Sequence, residues 1–154
     1  MNYEELLMEA TEEGIIVDEN FPFDSTVKGL YIDKNIALSA ELHTSAEKAC
    51  ILAEELGHHH TTVGDILDQT NTPNRKQEYR ARVWAYRRAI SLSDLVTGYK
   101  RGCQNYYELA EYLNVTEEFL LEALAHYKAK YGLCTRVDNY LIYFEPLGVL
   151  EMNM

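Results

Sequence analysis

Ala49-Cys50-Ile51-Leu52-Ala53-Glu54-Glu55-Leu56-Gly57-His58-His59-His60 reads as one helix, and its centre organises the reading of the whole chain. Glu54-Glu55-Leu56-Gly57-His58 nearly matches His-Glu-x-x-His, the helix motif of zinc hydrolases. In that motif two histidines four residues apart lie one helical turn apart, so both imidazoles reach one metal ion. The glutamate after the first histidine activates water at the metal. Here His58 is the second histidine and Glu55 takes the water-activating position. Glu54 stands where the first histidine would be. Glutamate also ligates zinc, so the change leaves either an altered site or a lost one.

A helix carrying one part of a metal site needs a partner element to supply the rest. Glu78 is the candidate, on a helix expected from Arg75 to about Ser91. It shares a face with Ala81, Ala85 and Ala89, a small-residue ridge that allows close helix–helix approach. The competing reading pairs Glu78 with Arg82 one turn on, as an ordinary surface ion pair. Asp65 is the runner-up ligand, although its place after Gly64 also suits a helix cap; Asp68 lies close by. His59 and His60 leave the Glu54/His58 face because a helix turns about 100° per residue. Their plain reading is a polar helix end, and the alternative is that one of them contributes to the metal site.

The chain has 154 residues, 47% hydrophobic, enough for one compact domain. Its 25 acidic residues outnumber 14 basic ones, for a net charge of -11. A phosphate backbone would repel that surface, which argues against nucleic acid as a direct ligand. The longest apolar runs, such as Tyr140–Phe144, are far shorter than the roughly 20 residues a membrane helix needs. The acidic start Met1-Asn2-Tyr3-Glu4-Glu5 does not resemble a secretory signal. Cys50, Cys103 and Cys134 are odd in number and far apart, as expected of reduced thiols in a cytoplasmic protein.

Local patterns predict an α+β fold, mostly helical, with a small sheet near the start. A short amphipathic helix runs from Tyr3 to about Glu13 and ends near Gly14. Ile15-Ile16-Val17 is a short strand, Phe21–Asp24 a loop, and Gly29–Leu38 two strands around an Asp-Lys-Asn turn. Thr44 and Glu47 stand at capping-box spacing before the motif helix. Thr61 to Asn74 reads as a loop. Ser93 or Asp94 caps the next helix, which ends near Gly102. Asn105–Leu113 and Thr116–Lys130 form a helix-turn-helix pair stopped by Gly132, and Tyr140–Phe144 is a strand in the tail. The divisions are 1–92, 93–132 and 133–154 within a single domain.

The helix-turn-helix pair has the apolar spacing of a DNA-binding unit, but its second helix carries Glu117, Glu118 and Glu122 and no arginine. It is better read as a structural unit or a protein-docking surface. Twelve tyrosines suit both a core and a protein-binding face. Cys50 falls with Ala46, Ala49 and Ala53 and reads as packing. Trp84 reads as core, and His43 and His126 as isolated residues.

From Gly29 to about Gly132 the chain resembles the ImmA/IrrE family of metallopeptidases, particularly the versions carried by phages and prophages. The resemblance rests on Leu52-Ala53-Glu54-Glu55-Leu56-Gly57-His58, on Gly64-Asp65-Ile66, on Asn74-x-x-x-Glu78-x-x-Ala81 with Ala85, and on the run from Glu108 to Phe119. It implies a zincin-like fold, and a zinc (or manganese) site made by Glu54, His58 and Glu78 with Glu55 as catalytic base. It also implies a partner: a repressor protein of helix-turn-helix type, cleaved or otherwise relieved of its repression. Two carboxylates and one imidazole would make a formally neutral site of lower Lewis acidity, shifted toward harder ions.

Overall fold

A computed structural model describes residues 1–62 and 74–153. Among them, the α+β expectation holds: six helices and two three-stranded sheets, with helices predominant. Helix α1 (Tyr3–Glu12) is capped by Asn2, whose side chain accepts the Glu5 N–H, and Glu4 and Glu5 sit in the first turn, where carboxylates complement the helix dipole. Leu6 and Ala10 are its buried stripe, and Gly14, at φ 74, turns the chain out of the helix.

Three strands follow: β1 (Ile16–Phe21), β2 (Gly29–Ile32) and β3 (Asn35–Ser39). The order is β1-β3-β2, with β1 parallel and β2 antiparallel to β3. Asp33 and Lys34, both at positive φ, form the tight β2–β3 connection, the conformation that matches strand twist in two-residue hairpins. The central strand buries Ile36 and Leu38. β2 is an edge strand of this sheet, and among the described residues no strand pairs with its outer edge. The first strand is longer than Ile15-Ile16-Val17 suggests: Asp18, a poor strand former, pairs with Ala37 of β3, Glu19 and Asn20 fall in an irregularity of the register, and the pairing resumes at Phe21 with Ser39.

Helix α2 (Ser45–Thr62) lies against this sheet. Thr44 and Glu47 close its start as a reciprocal capping box, Glu47 N–H donating to Thr44 Oγ1 at 3.1 Å and Thr44 N–H to the Glu47 carboxylate at 3.2 Å. The helix passes beyond His60 to Thr62, so Thr61 and Thr62 are helical rather than loop. Asp65 and Asp68, and the Gly64-Asp65-Ile66 element of the family resemblance, lie outside the described residues.

Helix α3 (Asn74–Ala89) makes the largest interface of any two elements with α2. The alanine ridge explains it: Ala81, Ala85 and Ala89 are all buried. Gly57 meets the ridge directly. A Cβ there would fall 2.9 Å from the Ala81 carbonyl carbon and closer still to its oxygen. The helix ends two residues before Ser91, because Ser91 caps the next one, α4 (Leu92–Lys100). The capping box is Ser91–Asp94, not a cap at Ser93 or Asp94: Asp94 is the third helical residue, reaching back to the Ser91 N–H at 2.8 Å.

Helices α5 (Tyr106–Leu113) and α6 (Glu117–Tyr131) are joined by Asn114 in the left-handed conformation. Leu109, Ala110, Leu113, Val115, Phe119 and Leu120 are all buried, so this apolar spacing builds core. The tail holds a whole antiparallel sheet, β4 (Cys134–Val137), β5 (Tyr140–Phe144) and β6 (Leu147–Glu151), not one strand. One cluster of buried side chains runs from Tyr3 and Leu6 through Leu52 and Ala85 to Ile142 and Phe144. Each fully buried leucine in it contributes about 1.5–3 kcal/mol.

Candidate metal centre

α2 and α3 meet beside the edge strand β2, and a cavity of about 380 Å³ opens there. Lys28, Gly29, Leu30 and Tyr31 wall one side; Glu54, Glu55 and His58 come from α2, and Glu78 from α3. All four residues singled out from the sequence therefore border one space. His58 Nε2 lies 3.3 Å from Glu78 Oε1. Two donors bound to one tetrahedral ion at ~2.0–2.1 Å stand about 3.4 Å apart, so this pair already has the spacing of two ligands. Glu78 pairs across to α2 and forms no ion pair with Arg82 among the described residues.

Glu54 and Glu55 are carboxylates in a poorly solvated place. Glu55 is 8% exposed. Burial, then the Glu54 and Glu78 charges, push its carboxyl up to about 8. Burial also pushes Glu54 up to about 7, against the pull of Arg82 and with the repulsion of Glu122, Glu78 and Glu118. A nearby divalent cation would favour the charged forms of these carboxyls. Among the described residues, no three of His, Cys, Asp and Glu are already drawn together as a complete metal-holding group. What stands formed is the His58–Glu78 pair, with Glu54 one helical turn from His58 along the same cavity. The donor chemistry fits a divalent ion with mixed oxygen and nitrogen ligands.

Two glycines set this geometry, and the sequence reading gave neither that role. Gly57 lets α3 close onto α2, which brings Glu78 to His58. Gly29 lets β2 lie on Glu55: a Cβ there would fall 2.6 Å from Ile51 Cγ2 and 2.9 Å from Glu55 Oε2. For Gly29 the available signal was a glycine opening a strand, where the missing side chain permits close approach of a neighbouring element. His59 and His60 do turn away from the pair, as helix geometry requires, but neither is merely a polar helix end. His59 is buried between Tyr31 and Glu13, and His60 stacks on Trp84 with ring centroids 4.6 Å apart. Cys50 is buried and free. His126 is not isolated, since its Nδ1 lies 3.2 Å from the Tyr79 hydroxyl.

Residues 16–125 match a peptidase family model described as the IrrE N-terminal-like domain. The chain belongs to that family. The match spans β1 through most of α6 and so contains every residue of the candidate centre. Membership in this IrrE-like family makes the chain metallopeptidase-like and implies a divalent metal. No curated protein and no solved structure matches the chain. Among the described residues no helix is long and apolar enough to cross a membrane.

The raised carboxyls give a pH-dependent prediction for metal-free protein. A carboxyl whose folded value lies above its ordinary 4.5 binds its proton more tightly in the folded chain. Stability is then lost as pH rises from about 4.5 through the folded value, here about 7 for Glu54. Glu54→Gln should therefore raise the melting temperature of chelator-treated protein at pH 8 and leave it nearly unchanged at pH 4. The gain should be on the order of 2 kcal/mol. Equal effects at both pH values would contradict the burial of Glu54's charge.

Proposed function

We propose that this chain is a metal-dependent endopeptidase of phage or prophage type that acts on a helix-turn-helix repressor protein and relieves repression. The observation that carries the chemistry is the His58–Glu78 pair at 3.3 Å with the buried Glu55 beside it. Glu54, His58 and Glu78 would hold a divalent ion, zinc or manganese. When bound, that ion supplies a Lewis acid for water and for the scissile carbonyl. Glu55 then takes the proton of the attacking water on its carboxylate and returns it to the leaving amine. Proximity of the cation favours the charged form of Glu55, which is the form that can accept a proton. β2 borders the cavity, among the described residues no strand pairs with its outer edge, and an extended peptide pairs with such an edge.

The second reading is a relative that keeps the fold and regulates the repressor by binding alone. Glu54 in place of a histidine favours it, because a formally neutral site activates water less. Cytoplasmic location belongs to the same proposal, since the repressor acts there. The two readings separate when the repressor encoded nearest this chain's gene is incubated with the protein. Metal-dependent cleavage, abolished by a chelator, is expected from the first; relief of repression that survives a chelator is expected from the second.

A further inference from the structure

Beside the cavity, three polar side chains from three elements are joined in series. Tyr31 of β2 lines the cavity, and its hydroxyl lies 2.7 Å from Nδ1 of His59. His59 follows His58 on α2 and is buried. Its Nε2 lies 2.9 Å from Oε2 of Glu13, the residue capping the C-terminus of α1. The same oxygen lies 3.6 Å from His60 Nε2, and His60 is stacked on Trp84 of α3. Glu13 lies outside residues 16–125, so the far end of this series is not part of what the family match covers.

The polarity of the series follows from its end group. An ionised carboxylate only accepts hydrogen bonds, so Glu13 holds the proton of a singly protonated His59 on Nε2. Nδ1 is then an acceptor, and Tyr31 must donate its O–H to it. The phenol oxygen keeps lone pairs for a further donor. Apolar packing alone does not call for an imidazole at a buried position, where an unpaired polar group is destabilising. Both nitrogens of His59 are instead committed, one to α1 and one to the wall of the cavity.

We propose that Tyr31 contacts the bound peptide, accepting a hydrogen bond from a main-chain N–H, and that His59 and Glu13 are positioning residues that set its orientation and polarity. The inference rests on the peptidase reading above. In histidine-labelled full-length protein, nitrogen NMR should show His59 protonated on Nε2 and bare on Nδ1. Tyr31→Phe should keep that tautomer, because Glu13 sets it. Glu13→Gln should leave a mixture of the two tautomers, because an amide donates as well as accepts and no longer fixes the proton on Nε2. In repressor cleavage, Tyr31→Phe should raise KM about threefold to tenfold, the worth of one hydrogen bond, with kcat nearly unchanged. Glu13→Gln should raise KM similarly in the wild-type background and add little to Tyr31→Phe, since it acts through that residue. A His59 protonated on Nδ1, an unchanged KM in Tyr31→Phe, or fully additive effects would overturn the proposal. If wild-type protein cleaves nothing, the peptidase reading fails and the peptide contact of Tyr31 with it, while the His59 tautomer still reports whether Glu13 sets the series.

Discussion

Glu55→Gln is expected to abolish repressor cleavage, lowering kcat by about 10²- to 10⁴-fold, the usual contribution of a general base. The amide keeps the side-chain volume but cannot take the proton of the attacking water. Glu55 is buried, and burial together with the neighbouring Glu54 and Glu78 charges pushes its carboxyl up to about 8 in the absence of a cation. A neutral amide is therefore tolerated at this position, and the variant should fold and melt no lower than wild type. Metal content should also be preserved, because the ligand candidates are the other three side chains. Cleavage measured with the full-length repressor, beside melting curves of both proteins, checks this. An active Glu55→Gln protein would remove Glu55 from the chemistry, and unaltered relief of repression would favour regulation by binding alone.

Gly57→Ala is the second large effect, and it acts on the scaffold. The added methyl must enter space held by the Ala81 backbone, and a backbone carbonyl cannot swing aside as a side-chain tip can. α2 and α3 must separate, at a cost of about 1–3 kcal/mol or more. For a chain of this length that lowers the melting temperature by roughly 5 °C or more. The separation also pulls Glu78 from His58, now 3.3 Å apart, so metal affinity should fall together with stability. Gly148→Ala is the control: a Cβ there meets nothing within 4 Å, and stability should barely change. Equal melting temperatures for Gly57→Ala and wild type would show that the helices have slack at this contact.

Much of the centre was legible because helix periodicity is rigid. The spacing of Glu54 and His58 puts them one turn apart whatever surrounds them, and the run Glu78, Ala81, Ala85, Ala89 marks a face narrow enough to approach another helix. The choice between His58 and Arg82 as partner of Glu78 was not legible, since both lie within reach of a flexible carboxylate and only the packing of α3 on α2 decides. Strand signals failed where pairing overrode propensity. Asp18 extends because it pairs with Ala37 of β3, Glu19 and Asn20 fall in the irregular stretch before pairing resumes at Phe21, and β4 and β6 carry too little alternation to stand out without β5 between them. The Ser91–Asp94 box was misplaced because Ser91 looks equally like the end of one helix and the start of the next. The Glu13–His59–Tyr31 series joins residues 46 and 28 positions apart, from three elements whose meeting no local pattern announces.

The most direct test of the account is the metal itself. Chelator-stripped protein should be titrated with zinc and with manganese by calorimetry, alongside His58→Ala and Glu78→Ala. One ion should bind per wild-type chain, more tightly at pH 8 than at pH 6 because the Glu54 carboxyl, raised to about 7, must shed its proton to bind the ion. Both variants should lose that site, each by at least about tenfold in affinity. Binding that survives His58→Ala and Glu78→Ala, or a wild-type chain that takes up neither ion, would contradict a metal centre between α2 and α3.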